Sequence, residues 1–307
     1  MLPRLQVPQV SVLMPVRNGR PYVRIAIESV LGQSFRDFEL IVLDDGSDDG
    51  TLLELNDIAQ QDRRVCVVPL PRSGMRIAVN HGLELARAEL IARMDADDIC
   101  EPSRLEQQIA FLQKHPHVVA LGAFAWAIDP DGDRLYPIDL PTKHEDMRSR
   151  LLNGSNCFIH PAVMYRKDGV VQVGGYQDDY PTDDYGLWLR LSEIGELANI
   201  PKYLLQYRVA AKESSIDKHR QQLAAAERIL AEHYRSRGLG TPPTLPADYS
   251  PQSVPRIHHH WAMSAAKHRQ WSASRKHSRA AIMQEPTNIH AWWTLTKAIF
   301  RFRGWRA

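Results

Sequence analysis

Glu89-Leu-Ile-Ala-Arg-Met-Asp-Ala-Asp-Asp98 is the stretch on which the rest of the chain turns. A short apolar run, Leu90, Ile91, Ala92 and Met94, delivers Asp95, Asp97 and Asp98 within four positions. If the run is a strand, alternation puts Asp95 and Asp97 on one side of the chain as it leaves a sheet. Like charges that close repel unless something cationic lies between them. Mg²⁺ or Mn²⁺ carrying a diphosphate suits the position, since both take hard oxygen ligands and bridge phosphate oxygens. An acidic turn ahead of a helix near Pro102 accounts for the same residues without a ligand, so the surrounding elements have to decide.

Working back toward the N-terminus, Val10-Ser-Val-Leu-Met-Pro-Val16 reads as a buried strand ending in the turn Arg17-Asn18-Gly19. A helix follows over Tyr22–Leu31, with Val23, Ile27, Val30 and Leu31 at helical spacing. Phe38–Leu43 is a second strand that runs into Asp44-Asp45-Gly-Ser-Asp-Asp-Gly50. A helix over Leu52–Gln61, a strand over Val65–Val68 and a helix from Gly74 to Ala88 complete the approach to the opening run. This strand–helix alternation predicts an α/β fold: a parallel sheet with helices on both faces, binding ligands beyond the carboxyl ends of its strands. Three such ends carry polar clusters, at Arg17-Asn18, Asp44-Asp45 and Asp95-Ala96-Asp97-Asp98. Their convergence favours the metal and phosphate reading over three unrelated turns. Neither a Gly-x-Gly-x-x-Gly fingerprint nor a Walker lysine follows the first strand, which excludes the usual dehydrogenase and P-loop signatures.

The chain of 307 residues is 44% hydrophobic and 24% charged, ordinary for a globular protein with room for one large domain and a small one. A net charge of +2 gives no signature for nucleic acid, and none is expected as a partner. Cys66, Cys100 and Cys157 show no paired spacing, and Cys66 and Cys157 are expected in the core. With no signal-peptide pattern and no run of about 20 apolar residues, the expectation is a soluble, cytoplasmic protein.

Past Pro102 the pattern gives an amphipathic helix to His115 and a strand from Val118 to Ile128. A hairpin turn at Asp129–Asp133, a helix over Met147–Leu152 and a strand over Cys157–Arg166 come after it. His160, beside a proline in that last strand, reads as structural. Asp183-Asp184-Tyr185 opens a helix with Leu187, Trp188 and Leu191 on its apolar face. Acids there are favoured by the helix dipole, and a carboxylate so held can also act as a general base.

Taken in order, these motifs resemble the inverting nucleotide-sugar glycosyltransferases of family 2, which have the GT-A fold. The resemblance rests on Ser11–Asn18, Leu40–Asp48, Gly74–Asn80, Asp95–Asp98, Gly174-Gly-Tyr176, Asp183–Arg190, and Tyr207-Arg208 with Ser214-Ser215, over residues 9 to about 216. It implies that Asp44 and Asp45 hold the base and ribose of a nucleotide-sugar donor, expected to be a UDP-sugar. Asp95 would contact the ribose or sugar, with Pro15, Arg17, Asn18, Arg76, Asn80 and Ala96 beside the donor. Asp97 and Asp98 would hold Mn²⁺ or Mg²⁺, and Asp184 would be the base, with Asp183 in the slot where relatives often have glutamate. The acceptor would be a saccharide or lipid-linked saccharide. One departure is the missing histidine after Tyr207-Arg208, where this chain has Ala210 and Ala211 followed by Lys212. A catalytically degraded scaffold module in a glycan assembly complex is the alternative this departure leaves open.

The expected division is a GT-A domain over 1–218, with a donor half 1–98 and an acceptor half 99–218, then a helical region 219–307 with a linker at 238–255. Within that region Ile216–Arg237, His258–Met283 and Thr287–Phe302 read as helices. The stretch Trp271–Trp292 resembles a single tetratricopeptide-type hairpin. One such hairpin has to cover its face on the main domain, a partner or another copy, so a homo-oligomer is among the expectations. His258-His259-His260 reads as a solvated run rather than a metal site. The basic, aromatic end, Phe300-Arg-Phe-Arg-Gly-Trp-Arg306, suits a peripheral contact with an anionic membrane at its inner face.

Overall fold

The computed structural model describes residues 7–177, 184–211, 216–245 and 253–300. By contact the chain forms two compact units that interleave in sequence. The first comprises residues 1–124, 139–205 and 224–245; the second comprises 125–138, 206–223 and 246–307. The chain passes between these units several times. The hairpin after Phe124 groups with the C-terminal helices, and most of the helix ending at Arg237 groups with the sheet.

Strand β1 (Val10–Val16), helix α1 (Val23–Leu31), β2 (Phe38–Asp45), α2 (Thr51–Gln61), β3 (Val65–Leu70), α3 (Met75–Leu85) and β4 (Leu90–Arg93) follow the predicted alternation. β1 and β2 are buried along their whole length, as strands covered on both faces must be. β5 (Ile99–Cys100), α4 (Arg104–Lys114), β6 (Val118–Ile128), β7 (Arg134–Ile138), α5 (His144–Leu152), β8 (Met164–Arg166), α6 (Lys167–Gln172), α7 (Tyr185–Leu191), β9 (Glu196–Arg208) and α8 (Ile216–Arg237) come next. In the first unit the strands run in the order β3-β2-β1-β4-β8-β6-β9-β5. β3, β2, β1 and β4 pair in parallel, and β8 turns the sheet antiparallel against β4 and β6. All the parallel strands deliver their carboxyl ends to one edge, with Val16 in register with Asp44.

Two local expectations are corrected here. Cys157–Arg166 is not one strand: Ala162 N–H donates to the Ile159 carbonyl at 2.8 Å, closing a 3₁₀ turn over His160–Ala162, and the strand is confined to Met164–Arg166. Pro161, lacking an N–H, cannot join a ladder there. Cys66 is exposed rather than in the core, because β3 lies at the end of the sheet, whereas Cys157 is buried as expected.

In the second unit the continuation of β6 pairs with β7, and Ala127 and Leu135 form a core with Trp261, Ala265 and Ala273. The latter three come from α9 (Val254–Lys267) and α10 (Trp271–Gln284), which are followed by α11 (Ile289–Phe300). The single helix expected over 258–283 is two, because Arg269 adopts φ 61°. Gln270 N–H then returns to the Ala265 carbonyl (2.8 Å) and Arg269 N–H to Ala266 (3.1 Å). This is a Schellman stop built without its usual glycine. The three consecutive histidines do not converge: His258 and His259 are half-buried and His260 is exposed. His258 Nδ1 meets His277 Nδ1 at 2.9 Å, His259 stacks near His290, and His260 lies edge-on to Tyr136.

The β6–β7 turn is anchored by Asp129, which is fully buried. It accepts from the N–H groups of Asp131 and Asp133 (3.0 and 2.9 Å), from His277 Nε2 (2.8 Å) and from Lys276 Nζ. Burial raises its proton affinity, but the bonds from His277 and Lys276 more than offset this and hold its carboxyl well below the usual range. Its stabilisation is thus present above the ordinary carboxylate value and lost as pH falls below it. Asp129→Ala is expected to cost about 3 kcal/mol, because it leaves His277 and two turn amides without their acceptor. Urea unfolding should read this as a lower midpoint at pH 7 and a smaller difference at pH 3. No helix among the described residues is long and apolar enough to cross a membrane.

Candidate active site

Asp44, at the carboxyl end of β2, is 2% exposed. Its Oδ2 accepts from Ser47 N–H at 3.4 Å, while the buried Oδ1 has no hydrogen-bond partner among the described residues. A buried carboxylate oxygen without a donor costs free energy until an N–H or O–H reaches it, as a nucleotide base edge or ribose hydroxyl would. Asp45 is differently employed. Its Oδ1 accepts Ser73 N–H (2.6 Å) and Ser73 Oγ–H (3.0 Å), and Gly74 N–H reaches Oδ2 at 3.0 Å. The carboxylate thereby pins the loop that opens α3, where Gly74 takes φ 92° at the helix entry.

Other residues expected beside the donor also have internal partners. Asn18 Nδ2 donates to Asp48 Oδ1 at 2.9 Å and Asn18 Oδ1 accepts Asp48 N–H at 3.0 Å, tying the β1 and β2 loops together. Asn80 spends both ends of its amide on Tyr176, donating to its carbonyl (2.8 Å) and accepting its N–H (3.0 Å). Pro15 is buried within β1, Arg17 is exposed just after it, and Arg76 is half-buried in the first turn of α3.

The acids after β4 converge by a turn, not by strand alternation. The strand stops at Arg93, a turn at Ala96-Asp97 follows, and Asp95, Asp97 and Asp98 each bring a carboxylate oxygen within 4.8 Å of the others. Asp98 is buried, Asp95 half-buried and Asp97 exposed. Buried Arg93 meets Asp95 Oδ1 at 2.7 Å, supplying the cation that such crowding needs. Arg104, also buried, donates to the Arg93 carbonyl at 2.7 Å and holds the backbone as it leaves the sheet. The set offers only hard oxygens, one of them facing solvent, and so fits Mn²⁺ or Mg²⁺.

Asp184 sits at the N-terminal end of α7 and is 8% exposed. Asn156 Nδ2 (2.6 Å) and Trp188 Nε1 (3.2 Å) both donate to its Oδ2. Burial raises its proton affinity above that of an ordinary aspartate, the two donors oppose this, and the Asp95 carboxylate adds to the rise. Asp183 lies outside the described residues, as do Lys212 and Ser214-Ser215. Fully buried Trp188 packs edge-to-face on Phe158 and His160, and His160 Nε2 meets Tyr176 Oη at 2.9 Å. Burial, then the charge of Arg93, hold the His160 imidazole well below its usual value, so it is a neutral spacer. Asn80, Tyr176, His160, Trp188 and Asp184 therefore form one continuous line of contacts.

Arg93, Asn156 and Trp188 are the members of this site that sequence reasoning did not assign to it. A lone arginine inside the apolar run ahead of three acids was the available signal for Arg93; Asn156 carries none. Because Asn156 stabilises the charged form of Asp184, Asn156→Ala is expected to move the acid limb of any activity that needs the Asp184 carboxylate to higher pH. A pH–rate profile checks this, and an unshifted limb would separate the two residues.

The order and mixed direction of the strands define the fold as of the GT-A class. A model of glycosyl transferase family 2 matches residues 11–174, and the chain belongs to that family of glycosyltransferases. The O-antigen biosynthesis glycosyltransferase WbnJ of Escherichia coli is 32% identical over 207 residues, covering 66% of this chain and 80% of that protein. Residues 1–349 of S. aureus TarS, in complex with UDP-GlcNAc, share the fold at TM-score 0.56 and 16% identity, covering 97% of this chain and 93% of that one. This chain spans 56% of a longer TarS structure. The mannosyltransferase PcManGT of Pyrobaculum calidifontis, in complex with GDP-Man and Mn²⁺, gives TM-score 0.55 at 16% identity, covering 96% and 81%.

Proposed function

We propose that the protein is an inverting glycosyltransferase that moves a sugar from a UDP-linked donor to a saccharide or lipid-linked saccharide during assembly of a cell-surface polysaccharide. The observation that carries this reading is the cluster of Asp95, Asp97 and Asp98 just beyond β4, whose carboxylate oxygens lie within 4.8 Å of one another. The buried carboxylate of Asp184 at the head of α7 supports a proton acceptor for the incoming hydroxyl. The orphaned Asp44 Oδ1 supports a base or ribose contact there. The O-antigen role named for WbnJ supports the polysaccharide setting, and the complexes named for TarS and PcManGT support a nucleotide sugar and a divalent ion.

Asp97 and Asp98, with Asp95 beside them, would hold Mn²⁺ or Mg²⁺. When bound, such an ion neutralises charge on a leaving diphosphate. Asp45 and Asn80 act indirectly, by fixing the Ser73-Gly74 loop and the Tyr176 turn. Asp184 takes the proton of the acceptor hydroxyl as that oxygen bonds to the anomeric carbon and the carbon's bond to the diphosphate oxygen breaks. A single displacement of this kind inverts the centre, and no covalent sugar–protein intermediate is needed.

Calorimetric titration with UDP, GDP, dTDP and CDP, each with and without Mn²⁺, tests the donor reading. Metal-dependent binding of UDP above the others is expected. Preference for another nucleotide would correct the donor, and no binding under any condition would return the scaffold alternative.

A further inference from the structure

In the second unit, α11 buries one side through Ala291, Thr294 and Ala298, with Leu295 packed against Ala281 and Ile282. A helix covered on one face is expected to be polar on the other. This one is not. Ile289, Trp292, Trp293, Ile299 and Phe300 recur at helical spacing outside that buried stripe, with the two tryptophans 50% and 51% exposed and Phe300 66% exposed. Contiguous exposed aromatic surface of this kind marks an interaction site.

Charge decides the partner. Between Ser253 and Phe300 the chain has seven lysines and arginines and one acid, Glu285. Lys297 Nζ lies 5.4 Å from the Trp293 ring, and Arg275 Nη1 donates to the Ala298 carbonyl at 3.3 Å, so cations flank the stripe. The sequence then continues with Arg301, Arg303 and Arg306. A second copy would bring the same positive charge onto this face. An anionic lipid surface brings the opposite charge, and indole rings settle at the headgroup level where one edge is apolar and the other wet.

We propose that α11 docks the protein on an anionic lipid bilayer, with Ile289, Trp292, Trp293 and Phe300 seated at the headgroup–acyl boundary and the flanking cations on lipid phosphates. This does not depend on the donor-site reading, since vesicle binding is measured without substrate.

The full chain should be floated with phosphatidylcholine vesicles and with mixed phosphatidylcholine–phosphatidylglycerol vesicles. At least about tenfold more protein is expected on the anionic vesicles, with the excess falling in high salt. Ile289→Ser with Trp293→Ser keeps the Trp292 Nε1 bond to the Pro286 carbonyl. This double variant should lose most of the binding with an unchanged circular dichroism melt. Should that variant unfold, Lys297→Glu at the exposed rim should weaken anionic binding alone. Equal recovery on both vesicle types, or none on either, would overturn the proposal. So would a dimer in light scattering that Trp293→Ser dissolves while vesicles remain bare.

Discussion

Asp184→Asn is expected to lower the rate of sugar transfer by about 10²–10⁴-fold, the range that loss of a positioned general base commands. Nucleotide affinity should stay within about twofold, because only the proton acceptor changes. The substitution is close to isosteric. Asn156 Nδ2 and Trp188 Nε1 both point at Oδ2, so an amide oxygen in that place satisfies both and the amide nitrogen takes the Oδ1 position. Stability gives an independent check. Burial raises the Asp184 proton affinity in the folded protein, so the charged form costs stability as pH rises above the unfolded carboxylate value. A neutral amide removes that cost, and the variant's Tm at pH 7.5 should equal or exceed that of the parent. Single-turnover transfer and a thermal melt on the same preparation read both effects. Full transfer with an unchanged Tm would take the base role away from Asp184.

Such a variant was legible from sequence because the sheet announces itself. Runs such as Val10–Val16 and Phe38–Leu43 are apolar at every position or nearly so, as strands buried on two faces must be, and the polar residues directly after them stand out by contrast. Pairings made across long separations were not legible. Asn156 meets Asp184 across 28 residues and Asn80 meets Tyr176 across 96, and no local pattern records either bond. The same blindness affects roles. Asp44 and Asp45 are neighbours in one strand, so their side chains point to opposite faces. One is left with an orphaned oxygen and the other is consumed by Ser73 and Gly74. Helix ends failed where their chemistry was atypical, as at Arg269 in place of a glycine. The three acids after Arg93 lie together through a turn of the backbone, not through the strand alternation their spacing suggests.

That turn makes Asp97 the sharpest probe of the metal reading. Asp95 is a poor choice, since its loss strips buried Arg93 of a carboxylate 2.7 Å away and would cost about 3 kcal/mol of stability. Asp98 is buried and carries similar risk. Asp97 is exposed, so Asp97→Ala should disturb the fold less than loss of either neighbour, with the protein still folded at assay temperature. In the presence of Mn²⁺ it is expected to weaken nucleotide diphosphate binding by about 10–100-fold, or ~1.4–2.8 kcal/mol. Chelation of the parent protein should give a loss of the same size. The decisive measurement combines the two. If the carboxylate acts by holding the ion, chelation should have little further effect on Asp97→Ala, so that the losses do not add. Additive losses would mean that the ion is held elsewhere and that Asp97 contributes only local charge. Parent-like binding by the variant, insensitive to chelator, would remove divalent metal from the donor site.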